Sequence, residues 1–163
     1  MKKIIAFFIM VFFIAFSGIT GNEASLYGNE NVRKIYKKMI KGKVIYTRLG
    51  GGYPPENLGY IQLKMPNVLT IYLLDVSIAD ASSKHIKTVI YKNVKSLPFE
   101  YSIPVEGIGF IPGYTYALSI LLDVNMNNEY TSGNFHNSLR LSVPIDRTQG
   151  DVVVKDAYIV RIR

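Results

Sequence analysis

The chain has 163 residues, 12 tyrosines and 8 phenylalanines, no tryptophan and no cysteine. That length suits one domain of ordinary size, and the missing cysteine excludes disulfides, thiol chemistry, a Cys–zinc site and a lipid-bearing cysteine. The formal charge of +7, which loss of Lys2 and Lys3 with a leader would reduce to +5, is a moderate basic excess that favours acidic partners only weakly.

Met1 to Ser17 reads as a signal peptide: two lysines, the apolar run Ile4 to Phe16, and the small residues Ala15 and Ser17 where signal peptidase needs them. The run is short against the ~20 residues that span a bilayer, so cleavage and a periplasmic or secreted, unlipidated product are expected. Residues 18–42 form the next segment, a polar stretch without period followed by an amphipathic pattern. Val32, Ile35, Tyr36, Met39 and Ile40 fall at helical spacing, and Gly42 is a natural stop. This predicts a basic helix over Asn31–Lys41, whose Lys34, Lys37, Lys38 and Lys41 face solvent, an acidic partner or, peripherally, an anionic membrane surface.

Residues 43–163 read as strands. Lys43 to Leu49 is the first, and Gly50 to Pro55 breaks it without the Lys-Ser/Thr of a phosphate loop. In Leu69 to Ala81, Leu69, Ile71 and Leu73 alternate with Thr70 and Tyr72, a central strand that the short polar residues Asp75, Ser77 and Asp80 bring to a turn. Ile86 to Tyr91 is another strand. Pro98 to Pro104 suits an edge strand bounded by prolines, and Tyr114 to Leu122 is a second long strand with Tyr116, Leu118, Ile120 and Leu122 on one face. Leu139 to Ile145 alternates, and Val152 to Ile162 forms a last strand with a bulge near Asp156.

Seven or eight short strands with polar turns predict a mostly β fold, an antiparallel immunoglobulin-like sandwich behind the short helix, with a barrel as the alternative. Tyr72, Leu74 and Leu121 sit on the outward parity, so that face is covered or awaits a partner; the basic helix is the expected cover.

Asp123, Asn125, Asn127, Glu129 and Asn134 fall at positions 1, 3, 5, 7 and 12 of a calcium-loop count. With two carboxylates, Asn128 where the loop needs glycine, and no acid at position 12, the stretch reads first as a strand connection, and no cofactor is expected. His85 and His136 lack zinc spacing, and Ser77, Asp80 and His85 lie too close in sequence to converge as a triad, so no enzyme is expected. A single basic segment without interleaved aromatics gives no nucleic-acid platform.

Leu73, Asp75, Val76, Ser77, Ala79, Asp80 and Ala81, then Pro98 and Phe99, then Ile111, Pro112 and Tyr116 together resemble the pilotin-like family of YscW pilotins of type III secretion and YbaY-type envelope lipoproteins. The resemblance implies an exported β-sandwich without known catalysis, binding another envelope or secretion-system protein; some members assist outer-membrane secretin assembly. The family's usual lipidated cysteine is missing here. The alternative is a small-ligand or weak calcium-binding periplasmic module.

Overall fold

The computed structural model describes residues 33–48, 58–137 and 141–163. The expected signal peptide lies outside these residues. The described chain is entirely strand and turn, in the order β1 (Ile35–Tyr36), β2 (Met39–Tyr46), β3 (Ile61–Gln62), β4 (Val68–Asp75), β5 (Lys84–Lys92), β6 (Ser96–Leu97), β7 (Phe99–Pro104), β8 (Gly109–Phe110), β9 (Tyr116–Asp123), β10 (Phe135–His136), β11 (Leu141–Val143), β12 (Val152–Val154) and β13 (Ala157–Arg161). The mostly β expectation holds.

Nine of these strands make one continuous sheet. Strand β9 pairs antiparallel with β4 on one side and with β10 and β11 on the other, and β5 extends the sheet beyond β4. Strand β13 pairs with β10 and, in parallel, with β2. Met39–Lys41 of β2 also pairs with β12, while Met39–Val44 pairs with β7, so β7 must lie on the far side of β2. The sheet therefore runs from β7 to β5, and it curls until these ends approach. There the Tyr91 hydroxyl of β5 donates to the Ser102 carbonyl of β7 and accepts from the Ser102 amide. This is a half-barrel closed at one point by a side chain, and not the two packed sheets of an immunoglobulin-like sandwich.

The concave side holds the core. Leu69, Ile71 and Leu73 of β4, Leu118, Ile120 and Leu122 of β9, Ile40 and Val44 of β2, and Ile103 and Ile159 are buried there. Each such side chain contributes roughly 1.5–3 kcal/mol relative to exposure. The alternation expected for β4, β7 and β9 is thus the inward parity of a curled sheet.

The expected helix over Asn31–Lys41 is corrected: Ile35–Tyr36 pairs with Phe110 and Gly109, and Met39 onward forms β2. The spacing of Ile35, Tyr36, Met39 and Ile40 fits a helix, but β2 finds backbone partners on both edges, which a helix cannot use. Gly42 is no helix stop. It lies mid-strand because a Cβ there would run into the Lys155 carbonyl, and its cross-strand partner Tyr101 reaches over it to donate a hydrogen bond to that same carbonyl. The expected bulge near Asp156 is corrected: β12 and β13 keep one register against β2, Val154 opposite Lys41 and Ala157 opposite Val44, so no residue is inserted, and in the gap the Asp156 carboxylate accepts from the Lys43 amide at 2.9 Å in place of a backbone carbonyl.

Candidate partner-binding face

The motif that ends β4 is a structural clamp. An Asp75 carboxylate oxygen accepts from the Ser77 amide and hydroxyl, and that hydroxyl in turn accepts from the Thr115 amide at 2.9 Å. The Val76 amide donates to the Thr115 carbonyl, so the turn is fastened to the residue before β9. Asp80 takes φ 60° in the following turn, a conformation that acids tolerate better than most residues. The second and third motif elements also hold the frame. Phe99, next to Pro98, stacks edge-on against Tyr91 at the sheet's seam. Tyr116 accepts from the Ile111 amide beside Pro112 and packs edge-on against the fully buried Phe110. Burial, opposed in part by that hydrogen bond, raises the Tyr116 phenol above its ordinary pKa.

The convex face of β5, β4 and β9 carries the apolar outward parity. Tyr72 lies between Thr88 and Ser119 in register, and Leu74 between His85 and Ala117. Both are half-buried, and Ile90, opposite Thr70, is 56% exposed. The Tyr72 ring meets His85 edge-on, and His85 Nε2 lies 2.6 Å from the Thr88 hydroxyl. Leu121 differs: it is only 2% exposed. Tyr130, from the loop after β9, stands against Ser119 and His136, the neighbours of Leu121 on this face. Leu121 is therefore already covered by its own chain, which corrects its expected role as a contact residue. Ile90 and Tyr130 were missed from sequence because neither lies in a motif, and Val89, Ile90 and Tyr91 in a row give no alternation to mark Ile90 as outward.

The lysines do not cover this face, since β2 and β4 are separated in the sheet by β13, β10 and β9. Lys37 is 7% exposed and donates to the Thr148 and Gly150 carbonyls, each at 2.6 Å, so it is a structural tie and unavailable to a partner. Lys38 pairs with Asp151 at 3.0 Å, a hydrogen bond that raises its pKa. Lys34 lays its stem across Gly109, and Lys41 is exposed.

In the loop after β9, the acids and amides are turned on the loop itself. Asp123 accepts from the Asn125 and Asn128 amides, and Asn134, wholly buried, accepts from the Val124 and Asn125 amides while donating to Asn127 and to the Glu129 carbonyl. Asn127 also accepts from the Glu129 amide, and Met126 and Asn128 take positive φ. These bonds are those of a turn that satisfies its own backbone. Among the described residues no three His, Cys, Asp or Glu side chains group as a metal site, and the Ser77 hydroxyl is directed to Asp75 and Thr115, not to His85.

Residues 59–138, which span β3 to β10, match the family model of YscW, a type III secretion system lipoprotein chaperone. No curated protein matches the chain. In structure the chain is similar to an alternative pilotin from the type II secretion system of Vibrio cholerae, with a TM-score of 0.56 and 20% identity, over 77% of this chain and 97% of that one. At that identity the likeness speaks for the fold. The clamp at Asp75 and Ser77, the seam strand with Pro98 and Phe99 and the Pro112–Tyr116 element all lie inside the stretch that matches the YscW family model.

Proposed function

We propose that the chain is an exported, non-enzymatic binding protein that holds a component of a secretion system, in the manner of a pilotin, with the convex β5–β4–β9 face as the docking surface. The observation that carries this reading is the pairing of a YscW match with an outward Tyr72, Leu74 and Ile90 that no other element of the described chain covers as Tyr130 covers Leu121. The occupant is an apolar segment of a secretion-system protein, since half-buried aromatic and aliphatic side chains in the centre of a sheet face gain most from desolvation by a similar surface. Met1–Ser17 acts as the leader and residues 43–163 as the binding domain. Without a cysteine, retention in the envelope rests on the partner and on the exposed Lys34 and Lys41, which favour an anionic membrane surface.

The test is site-specific photo-crosslinking in the intact envelope, with p-benzoylphenylalanine replacing Tyr72 or, as a control, the exposed Lys95. A single defined adduct from position 72, identified as a secretion-system component and missing from position 95, supports the reading. Adducts from position 95 matching those from 72, or adducts only to unrelated proteins, contradict it.

A further inference from the structure

The parallel pair of β2 and β13 is in register up to Tyr46 and Ile159 and then parts. Thr47 still donates to the Ile159 carbonyl, but beyond it a cavity of about 290 Å³ opens between the strand ends, with Ser132 and Gly133 as its third wall. Three arginines line it: Arg48 from β2's end, Arg161 at the end of β13, and Arg163. Continued alternation puts all three on the parity of Tyr46 and Ile159, at the end of the half-barrel where the core runs out. A second cavity of about 280 Å³ shares Arg161 and Gly133 and is lined by Leu63, Val124 and Phe135, with Lys64 at its rim. Among the described residues no Asp or Glu lines either cavity, and the ion pairs are Lys38–Asp151 and Lys43–Glu100, so none of the three guanidiniums is paired with a described acidic side chain.

Guanidiniums gathered around one concave site select planar oxyanions, which they bind through two parallel N–H bonds. The apolar second cavity adds a requirement for a hydrophobic group close to the anion. Each cavity has room for a side chain or two, whereas an acyl chain needs one long apolar channel, and the strand ends provide two separate pockets meeting at Gly133.

The geometry points to a second recognition site, in which Arg48, Arg161 and Arg163 bind the carboxylates of an acidic peptide segment while an adjacent apolar side chain of that segment enters the Leu63–Phe135 cavity. This deepens the binding reading above and rests on it: the partner segment carries glutamate or aspartate beside a bulky apolar residue. The site lies beyond the expected lysine cluster, from which Lys37 has been withdrawn by its bonds to Thr148 and Gly150.

The test is a titration of the full chain, followed by amide and arginine side-chain NMR, with the capped peptide acetyl-Glu-Glu-Leu-Phe-amide and with its Gln-Gln-Leu-Phe counterpart. Saturable shifts at Gly133, Arg161 and Phe135 with the acidic peptide are expected. Affinity should fall about tenfold or more in Arg161→Gln, and Arg48→Gln serves as a second variant should the first disturb folding. Lys84→Gln, on the opposite flank, should change nothing. Equal binding of the glutamine peptide, shifts scattered over the whole basic surface, or wild-type affinity in the arginine variants would overturn the proposal. Stronger displacement by phosphatidylglycerol vesicles than by peptide would assign the arginines to a lipid headgroup and overturn it too. If the peptide fails while crosslinking from position 72 succeeds, only this inference falls.

Discussion

Tyr91 and Ser102 close the sheet: one phenolic hydroxyl donates to the Ser102 carbonyl and accepts from the Ser102 amide, both at 2.8 Å. A side chain here does what a strand partner would do, and the edge of β7 is capped at that point. The Phe99 ring, edge-on to Tyr91 at 5.0 Å, holds the phenol in place. Tyr91→Phe keeps the ring and removes the hydroxyl, so it is expected to cost about 1–2 kcal/mol and to speed hydrogen exchange at the Ser102 amide. Unchanged exchange at Ser102 would show that the seam is closed by other contacts.

The Gly42–Lys155 approach makes a harsher prediction. Gly42→Ala places a methyl against a backbone carbonyl that already accepts from Tyr101, so neither atom can give way cheaply. A loss of about 3 kcal/mol, or failure to fold, is expected by denaturant titration. Gly107→Ala, at a turn with φ +80° and open space around it, tests the contrast: its cost should be near 1 kcal/mol, from backbone strain alone.

Of Lys34, Lys37, Lys38 and Lys41, only Lys37 should matter to stability. Its ammonium donates to two carbonyls of the 148–150 turn in a nearly closed site, so Lys37→Met should cost about 1.5–3 kcal/mol by leaving them unpaired. Lys41→Glu, on an exposed strand position, should stay within about 0.5 kcal/mol. Equal melting temperatures for the two variants would contradict the assignment.

Alkaline pH should weaken the fold through Tyr101. Burial, with a smaller contribution from the Asp156 charge, raises its phenol well above the ordinary value of 10.0. The unfolded chain then loses this proton near pH 10 while the folded chain keeps it, so stability is intact below pH 10 and declines as pH rises beyond it. Each such group contributes a slope of about 1.4 kcal/mol per pH unit. Tyr101→Phe should start from a lower stability, having lost its bond to Lys155, but should show a shallower decline between pH 10 and 11 than the parent.

The strands were legible where one face is buried and the other is not. Leu69, Ile71 and Leu73, and Tyr116, Leu118, Ile120 and Leu122, announce both their conformation and their inward parity. Asp156 misleads as a bulge signal, because its carboxylate takes the place of a carbonyl partner for Lys43 without shifting the register. What could not be read were relationships between distant residues. Ile35, Tyr36, Met39 and Ile40 satisfy helical and extended spacing about equally, and the choice is made by β7, β12 and β13, whose pairing with β2 no local pattern reveals. Likewise, alternation reports that a strand has an inner face but not whether the sheet curls on itself, which here depends on Tyr91 meeting Ser102. The short polar residues Asp75 and Ser77 announce a turn, but that the Ser77 hydroxyl accepts from the Thr115 amide is visible only in the folded chain. The arginine cleft joins positions 48, 161 and 163 through a parallel pairing that only the folded chain displays.

The central claim is that the convex face around Tyr72 and Leu74 holds a secretion-system partner. Its most direct measurement is partner capture by Leu74→Asp, read beside the variant's melting temperature. Leu74 is half-buried on the outer parity, so the fold should survive with a melting temperature within a few degrees of the parent, while recovery of the component crosslinked from position 72 should fall at least about tenfold, the equivalent of burying an unpaired charge in the interface. A folded Leu74→Asp protein that recovers the same component undiminished would contradict the account.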